Sequence, residues 1–148
     1  MSREDGSTST GFGRVLVFVY GIFAVAATAR SAVQLATKAS EAPLAYVLSA
    51  LAGVVYCVAT YGMAKDRRRL ALAAVLVELV GVVTVGTWSL LDPAAFPDQT
   101  VWSDFGQGYG YVPAVLPFVG LWWLRGRQRR RPSSHHSPTN GRTAGTKP

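Results

Sequence analysis

The chain has 148 residues, of which 49% are hydrophobic and 16% charged, and fifteen Lys and Arg against eight Asp and Glu give a net charge of +7. A single cysteine, Cys57, excludes an internal disulfide framework. The positive charge would suit a nucleic-acid binder, but it gathers at the ends of apolar stretches and in the tail instead of covering one face of a soluble domain, which argues against nucleic acid as a partner.

Residues 1–13 are rich in Ser, Thr and Gly and are expected to be disordered. Four apolar stretches follow, at residues 15–36, 44–64, 70–91 and about 109–124. The first three are about twenty residues long, which at 1.5 Å rise per residue crosses a hydrocarbon core of roughly 30 Å. The expected fold is therefore all-α: four transmembrane helices in an antiparallel bundle over residues 14–124, with a basic, disordered tail over 125–148. The segment Ala27-Thr28-Ala29, placed after Arg14 and an apolar run, resembles a signal-peptide cleavage site. Apolar character resumes beyond it to Ala36, which favours a full span.

The first stretch carries Arg30, Gln34 and Lys38 at four-residue spacing, a polar stripe that climbs toward one end. An arginine inside a span either snorkels to the surface or takes a carboxylate partner, and the candidates are Asp104 and Glu41. In the second stretch Ala45, Ser49, Gly53 and Cys57 form a stripe of small residues suited to close helix packing. In the third, Ala71, Ala74, Glu78, Gly81 and Val85 share a face. Glu78 is the deepest charge, and Tyr56 falls at the same depth when counted back from Ala64. A carboxyl in hydrocarbon must face the bundle interior and be neutralised or hydrogen-bonded. Two readings stay open for it: a structural hydrogen-bond node with Tyr56 as partner, or a proton or ion relay.

Residues 92–108 form the long connector, with Asp92, Asp98 and Asp104 and no Lys or Arg. The stretch VWSDFGQGYGYVP interleaves Trp102, Phe105, Tyr109 and Tyr111 with Gly106, Gly108 and Gly110. Alternating glycine disfavours helix, and Pro113 and Pro117 interrupt the fourth apolar run. Such a segment is either an aromatic cap at the membrane interface or a re-entrant stretch of the kind that lines transporter sites. Trp102, Asp104, Gly106, Gly108, Tyr109 and Gly110 are its candidate site residues. Gly106 and Gly110 also have the spacing of a small-residue helix contact.

Orientation follows from the basic residues. Arg3 and Arg14 precede the first stretch, Lys65, Arg67, Arg68 and Arg69 fill the second connector, and Arg125, Arg127, Arg129, Arg130 and Arg131 follow the fourth. Basic residues are retained in the cytoplasm, so both termini and the 65–69 turn are expected inside and the Asp-bearing connector outside. The last arginines are also expected to attract anionic lipids of the inner leaflet. Twelve Arg against three Lys, with one Ile and one Asn, is a bias of high-GC coding sequence and points to a bacterial plasma membrane.

The segments VYGIFAVAATARSAVQLATK, EAPLAYVLSALAGVVY, VWSDFGQGYGYVP and LPFVGLWWL resemble small actinobacterial integral membrane proteins of four helices. The resemblance spans residues 13–124 and implies the architecture and the membrane, while supplying no reaction, cofactor or site residue. No catalytic, metal-ligand or cofactor motif is evident: His135 and His136 lie in the tail and Cys57 has no His nearby in sequence. A non-enzymatic accessory or scaffold subunit of a larger membrane complex ranks first among functions. A small oligomeric transporter or channel using Arg30, Glu78 and the glycine-rich segment comes second, and a membrane-lipid enzyme third. Expected partners are the bilayer and either another membrane protein or further copies of the chain.

Overall fold

The computed structural model describes residues 5–129, and among these there is helix and no strand. The four α-helices are α1 (Asp5–Lys38), α2 (Pro43–Ala64), α3 (Arg68–Leu91) and α4 (Val112–Gln128), with 3-10 helices at Pro93–Ala95 and Ser103–Tyr109. Three of them, α1 from Gly11 onward, α2 and α3, are long and apolar enough to cross a membrane. α4 has 17 residues, or about 25 Å at helical rise, and falls short of a full crossing by itself.

α1 begins at Asp5, so most of the segment expected to be disordered is helical. Tertiary contacts account for the part of this extension nearest the bundle. Gly13 packs so closely on Trp123 that an added Cβ would stand 2.5 Å from the indole, and Phe12 meets Trp122 edge to face at 5.8 Å. At the other end of the chain α4 runs on through Arg125 and Arg127 to Gln128, where a disordered tail was expected. The remainder of that tail, including Arg130, Arg131, His135 and His136, lies outside the described residues.

Short connections make α1 with α2, and α2 with α3, antiparallel hairpins. Pro43 opens α2, where its missing N–H costs nothing. The 65–69 turn is closed by Arg67 N–H to the Gly62 carbonyl at 2.7 Å, with Asp66 held at φ 55°. On α2, Ala45, Ser49 and Gly53 of the small-residue stripe are buried, but Cys57 is exposed. A helix turns about 400° in four residues, so a four-residue stripe drifts around the axis and its last member leaves the interface.

The end of the bundle that carries the long connector is built differently from the sequence expectation. The fourth helix starts at Val112, not at about 109, and is continuous through Pro113 and Pro117. Leu116 of α4 stands at the level of Glu78 of α3, since both meet the same tyrosine. From there α3 rises thirteen residues to Leu91, about 20 Å, whereas α4 extends only four, about 6 Å. The missing height is filled by the connector. Its 3-10 segment lies against α3, with Phe105 on Gly86 and the Asp104 N–H on the Ser89 hydroxyl.

Candidate functional site

Glu78 is fully buried, and its Oε2 accepts a hydrogen bond of 2.7 Å from the Tyr20 hydroxyl. The same hydroxyl lies 3.3 Å from the Leu116 carbonyl, so one phenol of α1 meets both α3 and α4. Tyr56, the partner expected from depth, is also fully buried and flanks the carboxyl. Its hydroxyl accepts from Trp102 Nε1 at 3.3 Å, while Glu78 Oε1 has no hydrogen-bond partner. The rings of Tyr20 and Tyr56 stand 6.1 Å apart, and Phe23 closes the cluster at 5.5 Å from Tyr56. Tyr20 of α1 thus meets the carboxyl of α3, Tyr56 of α2 flanks it, and the connector joins the cluster through Trp102 on Tyr56.

Trp102 is the connector's contribution, and it is 1% exposed. Its six-membered ring lies on Gly81, where an added Cβ would stand 2.6 Å away. Gly81 is ten residues below the end of α3, so the indole descends about 15 Å into the bundle. The backbone that delivers it is tied by a local hydrogen-bond knot. The Thr100 hydroxyl accepts from the N–H groups of Trp102 (3.1 Å) and Ser103 (2.9 Å), and the Ser103 hydroxyl accepts from the Thr100 N–H at 2.9 Å.

After the tryptophan the chain takes three left-handed residues in succession, Asp104 (φ 51°), Phe105 (φ 57°) and Gly106 (φ 79°). For non-glycine residues this conformation costs roughly 1–2 kcal/mol each. It is held by Ser89, which accepts from the Asp104 N–H at 2.8 Å and approaches its carboxylate at 3.4 Å. Gly106 packs on the Pro113 ring, 2.7 Å from where a Cβ would be, and Gly110 is also left-handed at φ 63°. Gly106 and Gly110 are therefore turn formers rather than a helix-packing pair. Gly108 faces the Gln99 side chain. Ser89, Leu90, Pro93, Phe96, Gln99 and Asp104 surround a small cavity of about 260 Å³ beside this turn.

Arg30 does not reach a carboxylate. Its guanidinium donates to the Tyr109 hydroxyl at 2.9 Å and to the Gln99 carbonyl at 3.2 Å, so the pairing expected with Asp104 is replaced by two neutral acceptors. The Asp104 carboxylate is instead engaged by Ser89 and by the Gln99 amide, both at 3.4 Å. Glu41, the other candidate, pairs with Lys38 at 3.5 Å on the surface. Gln34, next on the Arg30 stripe, has its Oε1 buried without a partner. The Asp98 carboxylate accepts from Tyr46 of α2 at 2.6 Å, a second tie between connector and bundle.

Tyr20, Tyr46, Ser89 and Gln99 are thus members of the network that sequence reasoning did not single out. A signal existed for Tyr20: counted from Arg14 it lies about 9 Å into the first span, within a turn of the depth of Glu78. Ser89 and Gln99 carried none, because their roles depend on how the connector folds back. No protein family, curated protein or solved structure matches the chain.

Proposed function

We propose that the chain is a four-span protein of a bacterial plasma membrane, with both termini and the 65–69 turn cytoplasmic, that serves as a non-enzymatic accessory or scaffold subunit of a larger membrane complex. The observation that carries this reading is the filled axis of the bundle. At the level of Glu78 the interior is occupied by Tyr20, Tyr56 and Trp102, each 0–1% exposed, and the outer approach is closed by the knotted connector. A bundle packed in this way supports presenting a rigid surface rather than passing a solute. The outward faces supply that surface, with Val15, Phe18, Ile22 and Val25 on α1 and Val80, Leu90 and Leu91 on α3 all strongly exposed. α4 completes the fourth crossing in this reading by sharing its outer half with the connector.

The alternative, a small oligomeric transporter or channel using Arg30 and Glu78, draws on Glu78 Oε1, a buried acceptor without a donor. Affinity purification of the full chain in mild detergent separates the two. A stoichiometric membrane-protein partner supports the accessory role. Recovery of the chain only as copies of itself, with proton or ion flux in proteoliposomes that Glu78→Gln abolishes, would establish the alternative.

A further inference from the structure

Along the outward side of α4, near its arginine-rich end, Phe118, Leu121, Trp122, Arg125, Gly126 and Arg129 line a groove of about 430 Å³. They recur at three- and four-residue spacing and so form one stripe of the helix. Its apolar part is open to the surroundings, with Phe118 60% and Trp122 68% exposed. Gly126 has nothing within 4 Å of an added Cβ, which leaves the groove open between the two arginines.

Three neighbouring arginines at this end are engaged. Arg127 pairs with Asp66 at 3.0 Å and lies over the Trp123 ring at 4.8 Å. Arg67 lies over the Tyr61 ring, and Arg68 donates to the Leu124 carbonyl. Arg125 and Arg129 have no acidic partner among the described residues. One turn apart, they are separated by about 6 Å along the helix, so both can reach a single phosphate.

We infer that this groove binds one anionic phospholipid, its phosphate held between Arg125 and Arg129 and an acyl chain laid along Leu121, Trp122 and Phe118. Charge complementarity selects the occupant. A neutral protein surface would cover the apolar wall and leave two guanidiniums unpaired. A soluble anion would meet the guanidiniums and leave Phe118 and Trp122 bare. A lipid carrying a negative headgroup answers both, and Phe118 lies about 10 Å deeper than Arg125, within reach of the upper acyl chain. The indole of Trp122 stands between them, where amphipathic rings belong at the interface. The site is narrower than general attraction of a basic tail, because Arg127 is committed elsewhere. It rests on the reading of α4 as the fourth span.

Native mass spectrometry of the full chain in neutral detergent tests it, with phosphatidylglycerol, phosphatidylcholine and water-soluble glycerol phosphate as probes. One phosphatidylglycerol should be retained at concentrations that leave phosphatidylcholine unbound, and glycerol phosphate should not displace it. Arg125→Gln and Arg129→Gln should each weaken retention roughly fivefold, the equivalent of about 1 kcal/mol per basic residue at a lipid surface. Arg69→Gln removes the same charge from an exposed position off the groove and should leave retention unchanged. Equal retention of the two lipids, or an equal effect of Arg69→Gln, overturns the site in favour of diffuse attraction. Displacement by glycerol phosphate overturns the lipid as occupant. The span reading is checked separately by Phe118→Cys in a Cys57→Ser background. Ready labelling of that cysteine by an aqueous maleimide in membranes refutes the span, whereas protection without lipid preference refutes the site alone.

Discussion

Removing the Tyr20 hydroxyl should destabilise the bundle chiefly by what it leaves behind. Glu78 is fully buried, Tyr20 is the donor to its Oε2 at 2.7 Å, and Oε1 has no partner. Tyr20→Phe therefore strands a whole carboxyl. Leaving a buried polar group unsatisfied costs about 1–3 kcal/mol, while a hydrogen bond between helices in a bilayer is worth about 0.6 kcal/mol on average and 1.7 at most. The lower part of the first range applies, because a chain unfolded within the membrane also finds partners for its carboxyl, so the expected loss is about 1–2 kcal/mol. In a Glu78→Leu background the same Tyr20→Phe change strands nothing. It removes only the 3.3 Å contact with the Leu116 carbonyl and should cost less than about 0.5 kcal/mol. The difference, about 1 kcal/mol, is the coupling energy of the pair. Glu78→Gln keeps an acceptor for Tyr20 and should cost less than about 1 kcal/mol. Equilibrium unfolding of the four proteins in mixed micelles, followed by Trp fluorescence and helical circular dichroism, gives the cycle. Equal costs of Tyr20→Phe in the two backgrounds would refute the reasoning, because Glu78 would then not depend on that phenol.

Much of the architecture is legible because the physics that sets it is one-dimensional. Long runs such as those beginning at Val15 and Leu70 need only their length and apolar content to identify helices able to cross a membrane. The inward placement of Glu78 follows in the same way, since a carboxyl at that depth has no tolerable alternative. Its partner is harder to read. Depth counting brings Tyr20 and Tyr56 to similar levels but does not give helix rotation, and rotation decides which hydroxyl points at Oε2.

The long connector is opaque in the sequence for a different reason. Its glycines correctly signal irregular backbone, but the fold depends on pairings between distant residues. Ser89 holds Asp104, Gly81 admits Trp102, and Arg30 finds Tyr109. The expectation that Arg30 would meet Asp104 assumed that charge seeks charge. The left-handed turn at Asp104 instead directs that carboxylate toward Ser89 and Gln99, and a tyrosine hydroxyl and a backbone carbonyl receive the guanidinium. Local sequence does not contain that choice.

Gly81→Ala should cost about 1–3 kcal/mol by overpacking, since its Cβ would stand 2.6 Å from the Trp102 ring, and most of that loss should disappear in a Trp102→Ala background. In intact cells carrying Cys57→Ser, an impermeant maleimide should label Gln99→Cys and spare Arg69→Cys, and the reverse pattern would invert the proposed topology. Asp66→Gly should change thermal stability by less than about 0.5 kcal/mol, because relief of its left-handed backbone offsets the loss of an exposed ion pair with Arg127. The last expectation concerns Arg30, whose charge lies in the C-terminal part of α1 with two neutral acceptors. Arg30→Ala and Tyr109→Phe remove the two ends of one hydrogen bond, so their losses should be non-additive by about 0.5–1.5 kcal/mol. Arg30→Ala and Asp104→Ala have no direct contact and share only Gln99 as an intermediary, so their coupling should be smaller, below about 0.5 kcal/mol. Unfolding in detergent of both double variants decides the matter: additivity in the first pair with coupling in the second would return the guanidinium to the carboxylate and displace Tyr109 from the network.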